Sequence, residues 1–314
     1  MIRTHRRELS TALALAALLL TVAIATPSFF QPRNLEQTLV NNAAVLIVAI
    51  GMTMVILVGQ IDISVGSQFA IAAVATGLIA RAGAPTFIAV ISGALTGALL
   101  GLCNGLLVAR LGIPSIVVTL ATMVALRDAL RWTTQGRWVQ NLPSSFQWAG
   151  LSQSTGEILI LVITGALLLA FAWALANLRA GRALYATGSD REAARLAGIS
   201  PPRIICWVFV LTGLLTGLAA ALNAIRFREV QSSAGVGLEL KTIAAVVVGG
   251  AAITGGRGTL LGTFIGVLLL GFIGPALTFA GVSAYWEKAI QGFIILAAVA
   301  ADATRKVRPG GSAR

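Results

Sequence analysis

One histidine, two cysteines and no Gly-Lys dipeptide in 314 residues exclude much chemistry before any motif is read. The histidine, His5, lies in the basic N-terminal stretch. A histidine metal centre, a Ser-His triad and a histidine proton relay therefore have no second member. Cys103 and Cys206 stand far apart in apolar surroundings, without CxxC or metal spacing, and are expected to be buried small hydrophobes. Without Gly-Lys there is no Gly-x-x-x-x-Gly-Lys-Ser/Thr phosphate cradle, so the chain binds no nucleotide by that route. Charge is scarce as well, at 11% of residues against about 25% in a soluble domain. Ionisable groups inside membrane spans mark proton relays and ion sites. Here Asp62 lies in a glycine-rich break, Asp128 beside Arg127 and Arg131, and Glu157 and Asp302 at the ends of apolar runs. Glu239 is close to Lys241, and Glu287 is next to Lys288. No isolated carboxylate or lysine marks a bilayer midplane. A proton-driven carrier finds little support, whereas sodium coupling through carbonyls and hydroxyls stays open.

What the chain has instead is apolar length. Hydrophobic residues make up 57%, and mean hydropathy is +0.89. A membrane span needs about 20 mostly apolar residues. Runs of that kind cover 9–26, 39–58, 67–82, 86–109, 113–133, 156–178, 204–225, 240–253, 259–280 and 286–302. The expected fold is all-α: one polytopic transmembrane domain over 1–314 with about ten spans. Residues 9–25 follow a basic start and resemble a signal peptide, but their length and the spans that follow favour an uncleaved first span. The net charge of +12 forms no single stripe, which argues against a nucleic-acid partner. It gathers in the tails 1–8 and 303–314 and in the loop 179–203, as the positive-inside bias places it. An even span count puts both tails in the cytoplasm. Arg131, Arg137, Arg226 and Arg228 fall on the other side, where 134–155 reads as an external loop.

The loop 179–203 is the sizeable polar island. Within it Ser189 and Glu192 have Ser-x-x-Glu capping-box spacing, and Gly198 suits the left-handed helix stop. A helix of about two turns results, suited to docking a protein that supplies energy. Glu192 either completes the cap alone or also touches that partner. Arg191 and Arg195 share a face that is either solvated or meets acidic groups. Two other stretches look alike. Apolar residues ending at Val58 pass into Gly59-Gln60-Ile61-Asp62-Ile63-Ser64-Val65-Gly66-Ser67, and those ending at Val248 pass into Gly249-Gly250 and Gly255-Gly256-Arg257-Gly258-Thr259. Both read as a short span, a glycine-rich break and a restart behind a hydroxyl residue. They form either a parallel internal repeat, common in transporters, or a coincidence in a chain with 34 glycines. Asp62 is a candidate N-cap or a gating residue. Gly93, Gly97, Gly101 and Gly105 repeat every four residues, which suits close helix packing. Asn41, Asn42, Asn104, Thr119, Thr122 and Asn223 are polar span residues, either bonding neighbouring helices or lining a solute path.

These residues together carry a resemblance. Glu192-Ala193-Ala194 with Gly198 is similar to the "EAA" cytoplasmic loop of bacterial ABC importer permeases. Gly59–Ser67 resembles the Gly-Gly-Ile-Asp-Leu-Ser-Val-Gly-Ser signature of the ribose/xylose/arabinose/rhamnose branch, with Gln60 in place of the second glycine. Asn104-Gly105-Leu106-Leu107-Val108-Ala109 through Pro114 and Val117–Leu120 resembles the same branch, as does Ile243–Gly258. The likeness is collinear over about residues 35–302. It implies a multi-pass permease in a bacterial inner membrane, without its own cofactor or metal. It also implies a second permease copy, an ATP-hydrolysing subunit and a periplasmic sugar-binding protein. The resemblance makes Ser189–Gly198 the coupling helix. Branched-chain amino-acid permeases share the Gly-Gly-Arg-Gly segment and are the nearest rival, with furanosyl-autoinducer permeases close by. A secondary carrier working alone is the alternative from another class. A membrane-embedded enzyme lacks a catalytic pair in the spans.

Overall fold

Every residue from Val45 to Leu57 is buried, so one helix stands inside the bundle with no lipid-facing stripe. Such all-round hydrophobicity is what a fully enclosed helix requires. In a computed structural model, which describes residues 2–283, 286–290, 292–293 and 296, residues 2–283 form eleven α-helices and two 3-10 turns. They are α1 (Ile2–Ala25), α2 (Pro32–Leu57), α3 (Val65–Arg81), α4 (Thr86–Leu111), α5 (Ser115–Thr134) and α6 (Gln153–Asn177), then α7 (Arg179–Ser189), α8 (Arg191–Leu196), α9 (Pro201–Ala224), α10 (Leu238–Val248) and α11 (Leu260–Phe279). Among the described residues β pairing is limited to one antiparallel bridge, Val139–Val230. The enclosed helix is α2, surrounded by α9, α11, α6 and α10.

Lipid tails are as apolar as leucine, so helices in a membrane associate through close packing rather than hydrophobic exclusion. The seam of α4 against α9 is built that way. Gly97 of α4 faces Gly217, whose N and Cα would lie 2.8 and 2.9 Å from a Cβ added at Gly97. Gly101 approaches Gly213 and Phe209, and Gly105 approaches Cys206 and Phe209. The four-residue glycine period therefore serves helix packing, as its spacing suggests. The opposite face of α4 carries exposed Phe87, Ile91, Leu95 and Leu99, and α6 shows Ile158, Val162, Leu169 and Trp173 outward. These rows face lipid.

Cys103 sits on that outer face of α4 and is exposed, while Cys206 is half-buried. The expectation that both are buried is corrected: apolar neighbours in sequence meant lipid rather than protein interior. Cys103→Leu is accordingly expected to change stability by less than about 0.5 kcal/mol. Thermal unfolding in detergent checks it.

Among the described residues, six helices are long and apolar enough to cross a membrane: Glu8–Ala25 within α1, then α2, α4, α6, α9 and α11. Helix α3 is a shorter apolar helix, and α5 carries Arg127, Asp128 and Arg131. The run 240–253 is corrected. Its helix, α10, has 11 residues, a length of about 16 Å and roughly half the hydrocarbon thickness. Gly250, at φ +101°, stops it, although Ala251, Ala252 and Ile253 keep the sequence apolar. The run 286–302 lies mostly outside the described residues, and the tail 303–314 wholly so. At the end remote from α7, the loop 135–152 is tied to 225–237 by paired bonds between Val139 and Val230, at 2.9 and 3.0 Å.

Candidate coupling site

The polar island folds into two helices rather than one. Helix α7 is amphipathic: Gly181, Leu184 and Thr187 are buried at three-residue spacing, and Gly181 packs against the backbone of Leu175. Asp190 then leaves helical geometry, at φ −158° and ψ 111°, and α8 starts afresh. Its cap corrects the Ser189–Glu192 capping box. Ser189 is the last residue of α7, and the cap is Asp190, whose Oδ1 accepts from Glu192 N at 2.9 Å and Ala193 N at 3.1 Å. Two adjacent residues could each have capped, and the chain turns at the second.

Freed from the cap, Glu192 accepts from Arg195 Nη2 at 2.6 Å and Nε at 3.1 Å. Both side chains are about two-thirds exposed, so the pair adds little stability. Gly198 ends α8 as its sequence suggests, at φ +79°. The Gly198 and Ile199 N–H groups donate to Arg195 O and Ala194 O, each at 3.0 Å, which is a Schellman closure. Ala194 faces inward, while Arg191, Glu192, Ala193 and Leu196 project outward. Leu196 is 80% exposed. An apolar side chain so exposed, next to a Glu–Arg pair, makes this end of α8 the candidate contact for a partner.

The inner side of this helix pair, at Gly188 and Ser189, rests on both glycine-rich breaks. Helix α2 ends in a Schellman closure at Gly59, with Gly59 N donating to Ile56 O at 2.9 Å and Gln60 N to Val55 O at 3.0 Å. Helix α10 ends the same way at Gly250, whose N–H donates to Val247 O at 3.0 Å while Ala251 N donates to Val246 O at 3.1 Å. The breaks then touch. A Cβ on Gly255 would lie 2.8 Å from both Gly59 N and Gly188 O, and Gly256 N donates to Leu57 O at 2.8 Å. Gly188 of α7 abuts Leu57 O and Gly256 N, and Gly256 in turn abuts Ser189. Tyr185 Oη donates to Gly258 O at 2.8 Å. Burial, and then the charge of Glu8, raise the pKa of that phenol, keeping it a donor. On the restart side the Thr259 hydroxyl accepts from Gly262 N at 3.0 Å and donates to Glu8 of α1. Gly249 packs on Gly262.

Asp62, fully buried, organises the first break. Its Oδ1 accepts from Ser64 N at 2.9 Å and from Ser64 Oγ at 2.5 Å, and its Oδ2 accepts from Gln68 Nε2 at 3.2 Å. Ser64 Oγ also accepts from Gln68 at 2.7 Å and Asn104 at 2.8 Å, using its one proton and two lone pairs. The network ties α3 to α4. Ser115 Oγ accepts from Ile61 N at 3.1 Å, while Thr119 donates to Ser115 O at 2.8 Å and Ile61 O at 3.4 Å. Gly66 at the start of α3 abuts Gly235 O and Glu239.

The polar candidates thus fall into three groups. Asn104 and Thr119 hold the first break, and Thr122 donates to Thr119 O at 3.2 Å. Asn42 bonds Thr38 O at 2.8 Å and Gly271 O at 3.3 Å, joining α2 to α11. Asn41 and Asn223 instead gather round Arg226 at the far end of the bundle, accepting from its guanidinium at 2.5 and 3.4 Å. The residues of this region that sequence reasoning missed are Asp190, Leu196, Gly188, Tyr185 and Leu57. Leu196 alone left a signal, four residues after Glu192 on a helix otherwise without a large apolar side chain. Among the described residues, no three His, Cys, Asp or Glu side chains stand together to hold a metal.

Comparison with known proteins places this arrangement. Residues 34–299 match the family described as "Branched-chain amino acid transport system / permease component". The chain is 36% identical over 299 residues to the ribose import permease protein RbsC of Escherichia coli, covering 94% of this chain and 93% of that one. It is 37% identical to the Bacillus subtilis ribose import permease protein, over 94% and 92% of the two chains. It is 34% identical to the autoinducer 2 import system permease protein LsrC of an Enterobacter species, over 94% and 86%. No solved structure matches the chain. The match over residues 34–299, with these identities over 94% of the chain, makes this chain a member of that permease family.

Proposed function

We propose that the chain is the membrane-spanning subunit of an ATP-driven importer that carries a monosaccharide into the cytoplasm across a bacterial inner membrane. One observation carries the reading: α7 and α8 form a lever whose outer end offers Leu196 and Glu192 to a partner and whose inner end bears on both breaks. Energy applied at α8 reaches the breaks through Gly188 and Ser189. A partner subunit hydrolyses the ATP, and this chain binds none. The shared closures at Gly59 and Gly250, each followed by a restarted helix, fit a parallel repeat of which α10 keeps only half a span. Helix α5 has few buried residues and exposes Asp128 and Arg131. Charge against lipid is costly, so that face suits a second permease copy. A periplasmic binding protein delivers the solute. The ribose and autoinducer permeases among its relatives favour a sugar or furanosyl compound over a branched-chain amino acid.

Docking has its own test. Replacing Leu196 with Asp, or Glu192 with Lys, is expected to cut co-purification of the ATPase subunit at least tenfold while the permease stays in the membrane. Asp190→Ala, which removes the cap and costs about 1 kcal/mol, is expected to weaken it less. Undiminished co-purification with all three would remove the lever from the reading. Substrate class is tested by reconstituting the chain with ATPase and binding-protein partners and offering labelled monosaccharides and leucine. ATP-dependent accumulation of one sugar is expected. Accumulation of leucine instead would transfer the chain to the amino-acid branch, and accumulation without nucleotide would make it a carrier.

A further inference from the structure

A cleft of about 250 Å³ opens between the ends of α2, α6 and α9, lined by Asn41, Trp148, Gln153, Glu157, Arg226 and Phe227 among others. It lies at the start of α6, and the lever follows the far end of that 25-residue helix, about 37 Å away along its axis. The cleft is therefore at the face opposite the coupling site.

Three features of this cleft exceed what the fold needs. First, opposite charges sit in it without pairing. Glu157 is 7% exposed and accepts from Gln153 Nε2 at 2.8 Å. Arg226 donates to Asn41 Oδ1 at 2.5 Å and, at 3.4 Å, to Asn223 Oδ1 and Val40 O. Its buried Nε has no partner. An ion pair would satisfy both groups, and the fold keeps them apart. Second, the backbone is strained where it presents an aromatic ring. Trp148 and Ala149 have φ of 55° and 56°, a left-handed conformation that disfavours side chains. Trp148 N donates to Ile225 O at 2.6 Å, pinning the turn. Gly156 makes room for the indole: a Cβ there would lie 3.1 Å from Trp148 Cβ and Cδ2. Third, Phe227 lies 5.4 Å under the Arg226 guanidinium, adding a second aromatic face.

The chemistry of this set selects its ligand. An anion would meet Glu157, and a cation would meet Arg226. A neutral molecule with several hydroxyls uses both, since each hydroxyl donates to a carboxylate or amide oxygen and accepts from a guanidinium or amide nitrogen. The C–H face of a sugar ring suits an indole with one apolar side and a polar rim. A volume below the ~300 Å³ where drug-sized sites begin suits a single ring.

We propose that this cleft is a receiving site for one neutral monosaccharide at the outer face of the permease. The proposal rests on the monosaccharide reading above and adds a place where the solute is held before it moves inward. The Glu157 carboxylate and Arg226 guanidinium orient the hydroxyls, and Trp148 sets the ring plane.

The test is saturation-transfer NMR on the full-length chain in lipid nanodiscs. D-ribose, D-xylose and L-arabinose are the neutral probes, and glycerol 1-phosphate stands for a lipid headgroup. At least one sugar is expected to bind, and glycerol 1-phosphate is not. Glu157→Gln is expected to weaken sugar binding about tenfold or more, because it removes a charged acceptor. Gln153→Ala, at an exposed position that the fold tolerates, is expected to weaken it about fivefold. In the assembled importer both variants should raise KM for uptake and leave kcat unchanged. Sugar binding equal in wild type and both variants overturns the proposal, as does binding of glycerol 1-phosphate alone. Sugar uptake with KM unchanged in Glu157→Gln sinks the cleft and leaves the monosaccharide reading standing. Uptake of no sugar by the intact wild-type importer sinks that reading itself.

Discussion

Gly188→Ala is expected to leave a permease that inserts, binds its ATPase subunit at wild-type level and transports ten- to a hundredfold more slowly. The change adds one methyl group, yet Gly188 abuts Leu57 O and Gly256 N, and neither backbone atom can rotate aside. Overpacking of this kind moves backbone and costs about 1–3 kcal/mol. The displaced element is α7, the part of the lever that sits on the end of α2 at Leu57 and on the second break. Nothing at α8 changes, because the Asp190 cap and the Gly198 closure lie beyond the contact. A coupling energy of about 1–3 kcal/mol corresponds to a 5- to 150-fold effect, so losing the seat should appear in uptake and not in docking. Parallel measurement of co-purified ATPase and of solute uptake checks it. Wild-type uptake in this variant would mean that force reaches the breaks by another route.

Gly97→Ile is expected to abolish folded permease altogether. At this crossing the α4 and α9 backbones are in direct contact, with Gly217 N and Cα within 3 Å of where a Cβ would stand. A β-branched side chain would force apart a helix pair that has no hydrophobic drive to re-form in lipid. The α4–α9 seam also positions Asn104, which holds Ser64 in the first break. The expected readout is loss of the monodisperse peak on detergent size exclusion, with rapid proteolysis in the membrane. Gly165→Ile is the control, because a Cβ at Gly165 meets nothing within 4 Å. A monodisperse Gly97→Ile permease would show that the seam tolerates separation.

How much of this was legible in the sequence depended on whether one residue type could carry the information. Helix ends at Gly59 and Gly198 were legible, since a left-handed stop is what glycine permits at low cost. The α4 seam was legible because four glycines at constant spacing have few other uses. Helix α7 was not. Its inward residues Gly181, Leu184 and Thr187 include only one large apolar side chain, so the segment reads as a basic loop rather than an amphipathic helix. The α8 cap was misread by one position because Ser189 and Asp190 are both competent caps. Helix α10 was overextended because hydropathy measures lipid solubility, and Ala251–Ile253 stay apolar after the helix has stopped. Of the outer cleft only Asn41 and Asn223 were singled out, as polar span residues, and the cleft itself could not be read. Its residues come from distant helices and loops, and each polar side chain alone looks like an ordinary loop or helix-end residue.

The central claim, that the lever and the two breaks move as one body, is tested most directly by spin-label distances in the assembled importer. Labels at Leu196→Cys and Thr254→Cys report the lever against the second break, and labels at Leu196→Cys and Leu111→Cys report it against the end of α4. All three positions are exposed. The background would lack Cys103 and Cys206, and only one permease copy would carry labels. On adding a non-hydrolysable ATP analogue, the 196–254 distance should hold constant while the 196–111 distance shifts. A change in the 196–254 distance with the break still fixed relative to α4 would contradict the claim, because the lever would then swing without moving what it rests on.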